Sequence, residues 1–185
     1  MTTDLTGKTI AFVLGNSGVE EVELTTPWKA LQDAGATTVL IAPETGTVQA
    51  FTDDVDKAGT YDATVTTAAA SAADYDGLVI PGGTTNADAL RLDEPAVALV
   101  TAFVDAKKPI AAICHGPWML VEAGVLPGKT LTSFPTLQTD VRNAGGTWVD
   151  EQARTCPANG WTLVTSRNPD DLEAFCAAAI DAFAG

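Results

Sequence analysis

A short apolar run that stops at a cysteine places the strongest constraint on the fold of this chain. The run covers Ile110 to Ile113, Cys114-His115-Gly116 follows it, and the pattern then predicts a helix. A buried strand, a tight turn and a helix in this order are typical of a nucleophile elbow, in which the strand delivers a reactive side chain to the edge of a parallel sheet. Amides in the turn and at the helix start favour a thiolate over a thiol. We therefore predict that Cys114 is a nucleophile rather than one more small buried residue.

Strand and helix patterns alternate through the rest of the chain in the order of a doubly wound parallel sheet. Apolar runs predict strands at 9–14, 37–41, 77–80 and 161–165, and other segments predict helices at 20–34, 87–106, 137–144 and 169–184, with a short helix at 66–73. The segment 48–65, with an acidic loop at 53–56, predicts a small antiparallel excursion at the margin of the sheet. Because repeats and long linkers are absent from the sequence, we expect a single domain over residues 1–185.

The composition narrows the classes of function. The 185 residues include 24 acidic and 10 basic ones, which gives a formal net charge of -14. A surface field of that sign repels phosphate backbones and anionic lipids, so we expect no nucleic-acid binding through a basic surface and no membrane partner. Met1 to Gly7 lacks the parts of a secretory signal. Cys114, Cys156 and Cys176 have no framework spacing, which suits free thiols in a reducing compartment, and we expect a cytoplasmic protein.

A diglycine follows the strand predicted at 77–80, and it reaches the same edge of the sheet as Cys114. Glycine lets backbone amides approach a ligand closely, which is how an oxyanion hole is built beside an elbow. We therefore predict an oxyanion hole from Gly82, Gly83 and the elbow amides, including that of His115. An ordinary tight turn is the alternative interpretation of the two glycines.

Acidic residues on the first predicted helix offer a second means of controlling the sulfur. Glu20 and Glu23 lie three residues apart on one side of that helix, whereas Glu21 points elsewhere. A carboxyl group held against the sulfur in a half-buried cleft has a raised pKa and can serve as general acid and base. For Glu20 and Glu21, the alternative is that they only complement the helix dipole.

The single histidine, His115, excludes one class of site and leaves several roles open. A zinc site needs three or four protein ligands, and one histidine with three scattered cysteines has no recognisable spacing, so we expect neither a metal nor a cofactor. A base for Cys114 must lie within hydrogen-bond reach of the sulfur, but neighbouring side chains in a sharp turn usually diverge. His115 is then a base in a distorted geometry, a ring oriented by an acid from elsewhere, or a residue that merely caps the turn.

Five ordered motifs resemble the PfpI family of the ThiJ/PfpI superfamily, which is related to class I glutamine amidotransferases. They are Gly18 to Leu24, Val79 to Gly83, Ala112 to Trp118, Thr132 to Phe134 with Asp140 to Gly145, and Ser166 to Leu172. The resemblance implies a flavodoxin-like three-layer sandwich with a mainly parallel central sheet. It implies that Cys114 is the nucleophile and that Glu23 contacts it. It also implies a homo-oligomer, a dimer or a hexamer, in which an acid from a neighbouring subunit orients His115, and Asp88 is the matching candidate.

The resemblance leaves several reactions open. It implies a glutathione-independent glyoxalase, a deglycase of methylglyoxal adducts, an intracellular cysteine peptidase, or a stress chaperone or redox sensor. We favour attack by Cys114 on a small reactive carbonyl or a glycated protein, because an acid neighbours the sulfur and the sequence has no metal or cofactor motif. An oxidisable Cys114 that acts as a sensor is one alternative. A peptidase with a substrate pocket near Trp118 and Phe134 is the other.

Overall fold

A computed structural model describes residues 3–185 of the chain. Met1 and Thr2 lie outside the described residues, so the prediction made for the Met1 to Gly7 segment is covered only in part. No helix among residues 3–185 is long and apolar enough to cross a membrane.

The strands of the described chain are β1 (Thr9–Val13), β2 (Ser17–Glu20), β3 (Thr37–Ala42), β4 (Gly46–Thr52), β5 (Asp56–Ala63), β6 (Val65–Thr66), β7 (Gly77–Ile80), β8 (Ile110–Ile113), β9 (Thr130–Leu131), β10 (Thr147–Trp148), β11 (Ala153–Cys156) and β12 (Leu163–Ser166). The α-helices are α1 (Glu21–Asp33), α2 (Thr84–Leu90), α3 (Glu94–Asp105), α4 (Trp118–Glu122), α5 (Gln138–Asn143) and α6 (Leu172–Ala184).

Seven strands form the central sheet in the order β11-β12-β8-β7-β1-β3-β6. Every neighbouring pair is parallel except β11 and β12, which pair antiparallel. Alternate residues of a strand point to opposite faces, so β1 contributes to two cores. Phe12 belongs to the core that includes Leu24 of α1 and Phe175 of α6, whereas Val13 belongs to the core that includes Phe103 of α3. The predicted flavodoxin-like three-layer sandwich is therefore confirmed.

A second, three-stranded sheet has the order β2-β4-β5. β4 and β5 form an antiparallel hairpin, as predicted for this segment, and β2 pairs with β4 in parallel. The tip of the hairpin holds Asp53 and Asp54, both with left-handed backbone angles (φ 54° and 63°) that aspartate tolerates better than most residues. Because β2 leads directly into α1, this pairing brings the acidic tip to the start of that helix.

Two predicted helices differ from the structure. The segment 66–73 contains the end of β6, turns and part of a short 3-10 turn rather than an α-helix, because so short a stretch rarely nucleates one and the Ser71 side chain caps the 3-10 turn. The segment 87–106 is divided into α2 and α3. Pro95 lies in the first turn of α3, where it cannot continue the preceding helix because it lacks an amide hydrogen.

Candidate active site

Cys114 follows β8 directly and has a φ of 60°, an uncommon left-handed conformation for a residue with a side chain. Two backbone hydrogen bonds hold this turn: the Cys114 amide donates to the Ser166 carbonyl at 3.1 Å, and the Phe134 amide donates to the Cys114 carbonyl at 2.9 Å. A Cβ added at Gly116 would overlap with the carbonyl of Ile80, so only glycine lets the chain turn this close to β7. The geometry is that of the predicted nucleophile elbow.

The environment of the sulfur differs from the expected thiolate site. Burial raises the pKa of the Cys114 thiol, and Glu23 raises it further when it is ionised, while the amides of Gly83 and His115 act in the opposite direction. The helix after the elbow, α4, begins only at Trp118 and has five residues, so its dipole adds little. These effects together favour the thiol form of Cys114 over the thiolate, and the thiolate expected from the elbow pattern stays a prediction.

The backbone amides of Gly82 and Gly83 face different groups. The Gly82 amide donates to Glu23 Oε2 at 3.0 Å, so it positions that carboxyl group and is not free to bind an oxyanion. Gly83 has a φ of 92°, and a Cβ there would overlap with the carbonyl of Gly18, which fixes the turn that aims its amide at Cys114. Of the amides predicted to form an oxyanion hole, those of Gly83 and His115 face Cys114, whereas the Gly82 amide has another partner; the hole itself stays a prediction.

Glu23 is completely buried and lies against the sulfur. Burial raises the pKa of Glu23 to about 8, although contacts with the Cys114 thiol and the Gly82 amide favour the carboxylate. At neutral pH the side chain is a carboxylic acid and can donate a proton. Its other oxygen, Oε1, is buried without a hydrogen-bond partner in residues 3–185. A buried polar atom of this kind is costly unless a ligand or water satisfies it.

His115 reaches the sulfur from the next position in the chain. Its Nδ1 atom lies 3.2 Å from Cys114 Sγ, so the expectation that the two side chains diverge is wrong for this turn. The imidazole stacks on Phe134 with 4.8 Å between ring centroids, and Trp118 lies against it at 5.2 Å. Burial lowers the pKa of His115, although Asp54 acts in the opposite direction. A neutral imidazole in this position can accept the proton of the thiol.

A threonine connects the other side of the imidazole to an acid. His115 Nε2 lies 3.5 Å from the Thr84 hydroxyl and 3.5 Å from the Thr136 hydroxyl. The Thr84 hydroxyl donates to Asp54 Oδ2 at 2.7 Å, and the Thr84 amide donates to Asp54 Oδ1 at 2.7 Å. Since the hydroxyl proton is engaged with Asp54, we assign the Nε2–H tautomer, which leaves Nδ1 free to accept the thiol proton.

Two of the predicted site residues have other surroundings. Trp118 does not line the cavity at Cys114, because its indole nitrogen donates to Asp140 at 2.8 Å and its ring lies behind His115. Asp88 is exposed on α2 and does not line the cavity of its own chain. Its role toward His115 of a neighbouring subunit stays a prediction.

A cavity of about 230 Å³ opens at Cys114. Its walls combine the elbow pair, the glutamates of the β2–α1 segment, the acidic hairpin tip and two apolar groups: Glu20, Glu23, Asp53, Asp54, Gly83, Cys114, His115, Phe134 and Pro169. Glu20 Oε2 accepts a hydrogen bond from the Asp54 amide at 3.3 Å. Other surface grooves of about 340, 400 and 430 Å³ have no cysteine or histidine in their walls. Among residues 3–185, no group of three or more His, Cys, Asp or Glu side chains could hold a metal ion.

The doubly wound sheet and the buried glutamate opposite Cys114 define an α/β protein with a cysteine at the elbow of its central sheet. The DJ-1/PfpI family model matches residues 8–182, and the chain belongs to this family. It is 40% identical over 172 residues to general stress protein 18 of Bacillus subtilis, an alignment that covers 91% of this chain and 94% of the relative. It is 36% identical to protein/nucleic acid deglycase 2 of Escherichia coli, with 88% of this chain and 91% of the relative covered.

Solved structures have the same fold. A two-domain protein of Anabaena variabilis, with DJ-1/ThiJ/PfpI-like and ferritin-like domains, matches with a TM-score of 0.84 and 32% identity. That match covers 94% of this chain and 47% of the other chain. DJ-1 of Schizosaccharomyces pombe matches with a TM-score of 0.78 and 21% identity, covering 94% of this chain and 90% of that one.

Proposed function

We propose that the protein converts methylglyoxal to lactate, either as a free dicarbonyl or after release from its adducts with amines and thiols. One observation carries the proposal: Cys114 Sγ lies 3.2 Å from a neutral imidazole and against a buried carboxyl group that stays protonated at neutral pH. This set of groups supplies a nucleophile, a base and an acid within one cavity of about 230 Å³. A three-carbon dicarbonyl fits such a volume.

The first step forms a covalent hemithioacetal. His115 Nδ1 accepts the thiol proton as Cys114 Sγ bonds to the aldehyde carbon, and the carbonyl electron pair moves to the oxygen. The amides of Gly83 and His115 stabilise the resulting oxyanion, which then takes the proton back from the imidazolium. For an adduct, the amine or thiol leaves first, which frees the aldehyde that the sulfur attacks.

The second step moves two hydrogens within the bound substrate. His115 removes the proton from the former aldehyde carbon while Glu23 gives its proton to the ketone oxygen, and an enediol forms. His115 then returns its proton to the former ketone carbon, and Glu23 recovers a proton from the hydroxyl next to the sulfur. The product is a thioester of lactate, in which one carbon has been oxidised and the other reduced. Because this redox change is internal, the step consumes no external oxidant or reductant.

Hydrolysis completes the cycle. A water molecule whose proton is taken by His115 attacks the thioester carbon, the bond to sulfur breaks, and the leaving thiolate of Cys114 recovers a proton. The products are lactate and the resting thiol. The name of the Escherichia coli relative, and that of a Thermococcus kodakarensis deglycase that is 35% identical over 166 residues, are in keeping with this proposal.

The two alternative functions have less support from the same geometry. A cavity of about 230 Å³ is small for a peptide that must lie across the nucleophile. A buried thiol with a raised pKa is a poor first target for peroxide, because the thiolate is the oxidised species. We therefore favour carbonyl conversion over a peptidase or a redox-sensor function.

The test is lactate formation from methylglyoxal by purified protein without glutathione. We expect Cys114→Ser to lower kcat/KM by roughly 1,000-fold, because a hydroxyl is a far weaker nucleophile at neutral pH. Cys176→Ser is the matched control, since Cys176 lies in α6 outside the cavity, and it should retain full activity. Undiminished lactate formation by Cys114→Ser would refute the proposal.

A further inference from the structure

Three carboxyl groups line the cavity in addition to Glu23. They belong to Glu20, Asp53 and Asp54, whereas no lysine or arginine lines it. None of the three is in an ion pair within residues 3–185, because every ion pair there joins other residues. The imidazole of His115 adds no positive charge, since burial lowers its pKa. The entrance to the nucleophile is therefore negative on several sides and has no compensating cation.

A second observation indicates that this cavity is built for a ligand. Glu23 is completely buried and lines the cavity, and its Oε1 atom has no hydrogen-bond partner in the described chain. A ligand that brings a hydrogen-bonding group to the sulfur would satisfy this oxygen. The unpartnered oxygen indicates a polar ligand that reaches the sulfur, and the acidic residues indicate that this ligand is positively charged.

We propose that Glu20, Asp53 and Asp54 select carbonyl adducts that carry a positive charge, a guanidinium or an ammonium group, and discriminate against adducts that carry a carboxylate. The inference rests on the proposed function, because it names the charge of the substrate that the same site takes. Opposite charges within several ångströms in a half-buried cleft attract strongly, and a cleft lined by one sign of charge concentrates ligands of the other sign. The carbonyl carbon supplies the reactivity, and the acidic residues decide which carbonyl compounds reach Cys114.

The first experiment varies only the charge of the substrate. Methylglyoxal forms hemithioacetals with 2-(dimethylamino)ethanethiol, 2-mercaptoethanol and 3-mercaptopropionate, which carry a positive, a neutral and a negative group on similar short chains. We expect kcat/KM for lactate formation to fall in that order, with about a tenfold difference between the positive and negative substrates at low ionic strength. The difference should shrink in 0.5 M salt, in line with electrostatic screening.

Asp53→Asn is the diagnostic variant, because asparagine tolerates the left-handed φ of 54° and the Asp53 side chain accepts no hydrogen bond that holds the turn in the described chain. It should reduce the ratio of kcat/KM for the positive substrate to kcat/KM for the negative substrate by about threefold. Asp105→Asn is the matched control: it removes the same charge from the exposed end of α3, outside the cavity, and should leave the ratio unchanged.

A second measurement separates this inference from the proposed function, because it needs no turnover. Cys114 is modified with a trimethylammonium-bearing and a sulfonate-bearing methanethiosulfonate, and the rates at Cys114 are followed by mass spectrometry. Each rate is divided by the rate of the same reagent with a small free thiol. We expect the positive reagent to be favoured about tenfold, and less so in Asp53→Asn. Equal normalised rates, or a preference that Asp53→Asn leaves intact, would overturn the charge selection. A clear preference without lactate from any hemithioacetal would refute the proposed function and keep the charge selection.

Discussion

His115 Nδ1 lies 3.2 Å from Cys114 Sγ, so the proposed nucleophile and its proposed base are consecutive residues. The left-handed φ of Cys114 turns the backbone sharply between them, and Phe134 holds the imidazole by stacking at 4.8 Å. The base therefore belongs to the same subunit as the nucleophile. Within the described chain, the Thr84 hydroxyl lies 3.5 Å from His115 Nε2 and donates to the Asp54 carboxylate, and we expect this connection to orient the imidazole.

Thr84→Val tests this connection. Valine keeps the shape of threonine and the hydrogen bond from the residue 84 amide to Asp54, but it removes the hydroxyl that faces His115 Nε2. We expect kcat to fall about tenfold because the imidazole loses its fixed tautomer, with little change in KM. Thr85→Val is the control, since Thr85 is exposed on α2 and its hydroxyl lies outside this network. An equal loss in both variants would mean that the Thr84 hydroxyl has no special role.

The pH dependence of activity should reflect Glu23. The mechanism uses its protonated form, and its pKa is raised to about 8 by burial. We expect kcat to fall as the pH rises above about 8, because the ionised carboxylate no longer gives a proton and further raises the pKa of the neighbouring thiol. Steady-state lactate formation between pH 6 and pH 9.5 measures this. A kcat that keeps rising to pH 9.5 would contradict the assignment of Glu23 as the acid.

Stability should change with pH through the same group. The folded pKa of Glu23 is raised from 4.5 to about 8, so the folded state holds a proton that the unfolded state releases. The contribution of Glu23 to the free energy of unfolding is fully present below about pH 4.5 and is lost as the pH rises to about 8. Glu23→Gln does not titrate, so relative to the native protein it should gain on the order of 4 kcal/mol in unfolding free energy between pH 5 and pH 8.5. Urea unfolding of both proteins at the two pH values measures this. If the unfolding free energies of Glu23→Gln and the native protein differed equally at both pH values, the result would argue against a buried acid.

Some of this site could be predicted from the sequence because its signals are local. Strand, cysteine and glycine lie within a few residues of one another at the elbow, so the position of Cys114 follows from the pattern. Helical spacing placed Glu20 and Glu23 on one side without choosing between them, and the resemblance to the PfpI family indicated Glu23. For both Cys114 and Glu23, the sequence signal lies within the few positions around the residue itself.

The part that sequence reasoning missed depends on pairing between distant segments. The acidic loop at Asp53 and Asp54 is visible in the sequence, but it reaches the cavity only because β2 pairs with β4, an arrangement that no local pattern encodes. The partner of the Gly82 amide was likewise hidden, because it is a side chain 59 positions away. Burial of the sulfur also depends on the whole fold, so the elbow pattern alone could not predict it.

Gly82→Ala tests how closely Glu23 and Cys114 pack. A Cβ at this position would overlap with the Glu23 carboxyl group and lie 2.6 Å from Cys114 Cβ, so the acid and the nucleophile must move apart. A displacement near 1 Å in a reacting group costs about 100-fold in rate, and we expect that loss in kcat/KM. Gly124→Ala is the control: its φ of 68° is strained for alanine, which should cost about 1 kcal/mol of stability, but no atom lies near the added carbon and activity should be kept.

A comparison of Asp54→Asn with Asp88→Asn tests which acid orients His115. Asp54 reaches His115 through Thr84 within one chain, whereas Asp88 is exposed on α2 and can act only on a neighbouring subunit. We expect Asp54→Asn to lower kcat/KM about tenfold, because the hydrogen bonds from Thr84 lose their charged acceptor. Asp88→Asn should stay within about twofold of the native protein, and activity per subunit should not change on dilution. The opposite pattern, with Asp88→Asn inactive and activity lost as light scattering detects dissociation, would assign the orienting acid to the neighbouring subunit.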